Sequence, residues 1–163
     1  MGERMNQLFL GTAVALMLAV PVAMAGEQGA MTHSDVKDGR TAIALDSAGR
    51  SLVLAEMRQF LTAVQVLTDA LARDDLKAAA LAARAVGMQA AHEVPPEVKA
   101  RLPKEFKQLG FSVHSDFDQL ALDADGLGDQ RHALKQMSGI LQKCVACHST
   151  YRIDAAAPSL AKR

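Results

Sequence analysis

From residue 48 onward the apolar positions recur at steps of three and four, the interval that gathers side chains on one face of an α-helix. Val53, Met57, Phe60, Val64, Leu67 and Leu71 form a first such stripe, which Arg73, Asp74 and Asp75 interrupt. A second helix is predicted over about 74–91, with Asp74 or Asp75 as N-cap and Leu76, Ala79, Ala83, Val86 and Ala90 on one face. Those small side chains favour close approach of a neighbouring helix. Pro95, Pro96 and Pro103 make 92–103 the longest connection, because proline drives its predecessor out of helical geometry. The third helix starts near Pro103 and turns Phe106, Leu109, Val113, Phe117 and Leu120 inward, until Asp125, Gly126, Leu127 and Gly128 end it. A fourth opens around Asp129 and carries Leu134, Met137, Leu141, Cys144, His148 and Tyr151 on its stripe. Four helices with mostly short connections predict an all-α fold, an antiparallel four-helix bundle over 48–163.

The beginning of the chain reads differently. Residues 26–47 are polar and aperiodic, and are expected to form a flexible leader. Before them, Arg4 gives a weakly basic opening, Leu8 to Val20 is almost wholly apolar, and Ala23-Met24-Ala25 is a small-x-small cleavage signal. Residues 1–25 are therefore predicted to be a secretory signal peptide cut after Ala25, which implies an exported, periplasmic protein. The apolar run is about a dozen residues, well short of the roughly 20 that span a bilayer as a helix, so no membrane span is expected after cleavage. Lys and Arg number 18 and so do Asp and Glu, which leaves nothing to favour nucleic acid or an anionic membrane as partner.

Chemistry enters with Cys144-Val145-Ala146-Cys147-His148. A C-x-x-C-H run is the pattern by which haem is attached covalently: two sulfurs form thioethers with the haem vinyl groups, and the adjacent imidazole becomes an axial iron ligand. On a helix Cys144 and Cys147 share a face, with His148 beside them. Two other chemistries use the same spacing. A redox-active disulfide belongs at a helix start, where the dipole lowers a thiol pKa, whereas these cysteines lie deep in a helical pattern. A structural zinc site uses about four N or S ligands, and no second cysteine pair exists. One covalent haem c is the expected cofactor. Export also suits it, since haem is commonly loaded onto such cysteines outside the cytoplasm.

The segment C-V-A-C-H-S-T-Y-R over 144–152, at the end of the last of four helices, resembles the class II c-type cytochromes, the cytochrome c′ group and its low-spin relatives. The similarity extends from about Ser47 to Ile153, although only Cys144 to Arg152 is specific by itself. It implies Cys144 and Cys147 as thioether sites, His148 as proximal ligand, and Arg152 as a basic group near the histidine or a haem propionate. Arg152 also reads as a solvated cation at a helix end.

In that family the residue opposite the histidine comes from the first helix. Low-spin members offer a methionine there, and cytochrome c′ itself an apolar residue that leaves the iron five-coordinate. Met57 lies on the inward stripe of the first helix, one turn from its start, and the resemblance makes it the distal ligand; packing as a core gap-filler is the other role open to it. Phe60 and Leu61 flank it and would shield the iron if it does not bind. Met88, Met137, His92, His114 and His132 are weaker candidates. The expected function is one-electron transfer with redox partner proteins, not enzymatic catalysis, since no acid, base or nucleophile is required. Two further readings stay open: a five-coordinate protein binding nitric oxide or carbon monoxide, and a haem-free thiol redox protein. The resemblance also leaves room for a homodimer through the first helices, with Leu52 and Leu54 as exposed apolar residues.

Overall fold

The computed structural model describes residues 37–91 and 94–156. The expected signal peptide, half of the expected leader and His92 lie outside the described residues. Within them the chain forms a bundle of α-helices and a single two-stranded ribbon, in the order β1 Thr41–Leu45, α1 Ser47–Ala72, α2 Leu76–Arg84, α3 Met88–Ala91, α4 Pro96–Arg101, α5 Lys104–Leu127, α6 Gln130–Thr150 and β2 Tyr151–Ala155.

Local chemistry sets the helix ends. Asp46 caps α1 by accepting from the Gly49 N–H at 2.8 Å. At the other end Asp74 adopts a left-handed φ of 57°. The Asp75 N–H then reaches the Ala70 carbonyl at 2.9 Å and the Asp74 N–H that of Leu71 at 3.1 Å, the paired bonds of a Schellman turn. Asp75 starts α2 immediately, its carboxylate accepting from Ala78 N–H at 2.9 Å. Gly128, at φ 64°, ends α5, and Asp129 caps α6.

The helix expected over 74–91 is broken at residues 85–87, and the cause sits on α5. The Asp118 carboxylate accepts the Met88 N–H at 2.9 Å and so caps α3 from another element. It fills the space beside Gly87, where a Cβ would fall 1.8 Å from Asp118 Oδ1. The proline-bearing connection holds a helix of its own, α4, opened by Pro96 at its first position and pinned by buried Val98.

Helix α1 packs on α2, α2 on α5, α5 on α6, and α6 returns to α1. Asp123 of α5 meets His132 and Gln136 near the start of α6, while Asp116 meets Lys143 near its end, so these two helices run in opposite directions. The same holds for α1 and α6, since Gln130 donates to the Leu71 carbonyl at one end and Met57 shares a cleft with His148 at the other. The main core joins Leu67, Leu71, Phe117, Leu120 and Ile140 to the alanines of α2, whose small volume lets α1 and α5 approach.

Three sequence expectations need correction. The folded body begins before residue 48, because Thr41–Leu45 pairs in parallel with Tyr151–Ala155, with Ala42 opposite Arg152 and Ile43 opposite Ile153. Ile43 and Leu45 are buried on alternate positions of β1 and form a second core with Val53 and Val98. Tyr151 therefore belongs to a strand and not to the last helix. The inward stripe of α6 is also displaced by one position: Ala133 and Ile140 are buried, with Met137, Cys144 and Cys147 partly so, whereas Leu134 and Leu141 are exposed. Both registers satisfy the three-and-four spacing; the observed one puts Ala133 and Ile140 in the main core.

Candidate functional site

Two adjoining clefts lie where α1, α5 and the end of α6 meet the ribbon. The inner one is lined by Met57, Phe60, Phe106, Leu109, Val113, His114, Cys144, Cys147 and His148, among others. The outer one, about 260 Å³ in volume, is lined by Arg40, Val53, Leu54, Met57, Phe106, Cys147, His148, Tyr151, Arg152 and Ile153. Met57, Phe106, Cys147 and His148 belong to both, and the inner cleft is the smaller at about 70 Å³.

The five residues singled out from the sequence all line this region. Cys144 and Cys147 are half-buried free thiols one helical turn apart on the inward side of α6. Burial pushes both thiols above their ordinary pKa, and Cys144 pushes Cys147 further the same way. A nucleophilic redox cysteine needs the opposite shift. His148, one position beyond, is more exposed but forms a wall of each cleft. Met57 lines both clefts too, half-buried, and because α1 starts at Ser47 it lies nearly three turns from the helix start, not one. Phe60 shares its cleft, whereas Leu61 is 69% exposed and faces away. Leu54, expected on the surface, is half-buried in the outer cleft.

Arg152 sits on β2, not at a helix end. It pairs with Asp38 at 3.6 Å and Asp154 at 3.3 Å, and its Nε is buried with no acceptor. Arg40, which no periodicity marks, joins it at the outer rim. Phe106 packs edge-on against Tyr151 at 5.4 Å and holds the ribbon over α5.

His114, one of the weaker ligand candidates, is buried at 4% exposure. Its Nδ1 donates to the Val86 carbonyl at 2.8 Å and its Nε2 faces Glu56 Oε1 at 3.3 Å. Both partners are acceptors, so the arrangement favours the doubly protonated ring and leaves neither nitrogen free to bind a metal. Burial, the largest influence, lowers its pKa, but the bonds to Glu56, Val86 and Gly87 and the Glu56 charge together carry it above the ordinary value.

These residues fit a haem. The thiols share the inward side of α6, His148 follows them directly, and the Met57 side chain lines the same clefts. The walls are mostly apolar, with Glu56 and Lys143 also on the inner one, and two guanidinium groups stand at the outer cleft, each paired with a carboxylate. Among the described residues no group of three or more His, Cys, Asp or Glu is arranged to hold a bare metal ion. No described helix is long and apolar enough to cross a membrane. In comparisons with protein-family models, curated proteins and solved structures, nothing matches this chain.

Proposed function

We propose that this chain is an exported, periplasmic electron carrier resembling the class II c-type cytochromes, with one haem c bound through Cys144 and Cys147. The observation that carries the reading is the convergence of both thiols, the imidazole and the Met57 sulfur on one pair of clefts. The ring of α1, α2, α5 and α6, with α3 extending α2 along α5, supports a four-helix bundle as its frame.

Each thiol would add across a vinyl double bond, sulfur bonding to one carbon and its proton passing to the other. His148 would serve as proximal ligand and Met57 as distal ligand. When bound, the haem iron supplies the one-electron couple that the polypeptide lacks, and a methionine ligand favours its reduced form. The chain does the rest: Val53, Phe60, Phe106, Leu109 and Val113 exclude water, Arg152 offsets negative charge at the rim, and the helices hold the two ligand-bearing side chains apart at fixed separation. With His148 and Met57 both holding the group, electron exchange with a redox partner protein would require little rearrangement of the chain.

The test is a mass and an absorption spectrum of protein made in a haem-maturation host. The reading expects a covalent haem adduct and a low-spin ferric spectrum with a near-infrared methionine-to-iron band. A bare polypeptide mass rejects haem; a covalent adduct with a high-spin ferric spectrum rejects Met57 and leaves the five-coordinate gas binder.

A further inference from the structure

Arg40 lies outside the ligand set just described, yet it is tied to the histidine. Its Nε and Nη2 donate to the Asp38 carboxylate at 3.0 and 2.7 Å, and its backbone N–H reaches the same group at 3.0 Å. This fork immobilises the guanidinium and leaves Nη1, which donates to the main-chain carbonyl of His148 at 3.3 Å. That carbonyl belongs to the last turn of α6, where helix geometry provides no N–H partner. The carbonyl before it, on Cys147, is taken by the Tyr151 N–H. Arg40 directly precedes β1, and β1 pairs with the strand that begins just after α6. The histidine backbone is thus held from both sides of the ribbon.

We propose that Arg40 is a positioning residue for His148: oriented by Asp38, it fixes the last turn of α6 and through it the direction of the imidazole. The inference rests on the haem reading. It makes the segment from Asp38 to Leu45 part of the site rather than an approach to it. Charge and positioning separate by substitution. Asp38 faces both Arg40 and Arg152, so Arg40→Ala lowers the positive charge at the rim and favours oxidised iron, and Asp38→Asn raises it and favours reduced iron. Arg40→Lys keeps the charge and loses the fork.

The experiment uses the full haem-loaded chain and its three variants, with redox potentiometry, ferric paramagnetic resonance and amide exchange at Tyr151, alongside thermal melting. At the parent midpoint, the reduced-to-oxidised ratio is expected to fall about threefold in Arg40→Ala and rise about threefold in Asp38→Asn, the scale of one exposed ion pair. Arg40→Lys is expected to hold the parent midpoint yet share the faster Tyr151 exchange and broadened ferric signal of Arg40→Ala. Parent-like ferric signals and Tyr151 exchange in Arg40→Ala and Arg40→Lys overturn the proposal, whatever the midpoints. If Arg40→Ala does not fold, Arg40→Lys and Asp38→Asn decide by the same criteria. A parent without covalent haem overturns the underlying reading as well, which distinguishes the two failures.

Discussion

Met57 and His148 form walls of the same two clefts from helices that run in opposite directions. A methionine that only packs and one that binds iron answer differently to a change of shape-conserving kind. Met57→Leu nearly preserves volume, so its cost in stability should stay under about 1.5 kcal/mol by denaturant unfolding. Removal of the sulfur should nevertheless convert the ferric spectrum of the haem-loaded protein from low-spin to high-spin. A parent-like spectrum in the variant assigns Met57 to packing alone.

Asp74 holds a left-handed backbone that costs a residue with a Cβ about 1 kcal/mol. Its N–H bond to the Leu71 carbonyl is made by the main chain, so the side chain is dispensable there. Asp74→Gly should therefore stabilise the fold by roughly 0.5–1 kcal/mol, visible as a higher urea midpoint with an unchanged slope. A lower midpoint would show that the carboxylate contributes more than the strain it carries.

Gly87 is required for a different reason, the Asp118 carboxylate lying where its Cβ would be. An alanine there forces Asp118 off the Met88 N–H, a bond of 2.9 Å, and the loss of such a cap costs about 1–2 kcal/mol. Gly87→Ala should lower stability by that amount in the parent and by much less in an Asp118→Ala background. Equal losses in both backgrounds would place the cost elsewhere.

The legible parts of the fold were those whose signal is local and repeated. The stripes of α1 and α5 extend over several turns, and Asp75 and Asp129 announce helix starts by side-chain chemistry alone. The candidate site residues on α6 stood out through a motif of adjacent residues, and the structure places them along shared clefts. The ribbon was not. Thr41–Leu45 offers only two buried positions, and its parallel partner lies at the other end of the chain, so nothing nearby distinguishes it from a loop. Arg40 escaped notice with it, since its role arises from a carbonyl contact that spacing cannot encode. The α6 register was ambiguous because two stripes one residue apart fit equally, and the choice depends on what α5 presents. The break at Gly87 likewise originates on α5.

The pairing of His114 with Glu56 gives stability a pH dependence of definite sign. With its folded-state pKa raised above the ordinary value of about 6.5, His114 binds its proton more tightly in the folded chain than in the unfolded one. Its contribution is fully present below about pH 6.5 and is lost as pH rises through the folded-state value. Urea midpoints should accordingly decline from the acid to the alkaline side of that window. Glu56→Gln removes the charge that holds the proton, and should cost roughly 1–3 kcal/mol at pH 6 while flattening the decline. A decline of the same steepness in Glu56→Gln would show that the Val86 and Gly87 contacts, not the carboxylate, keep the ring protonated.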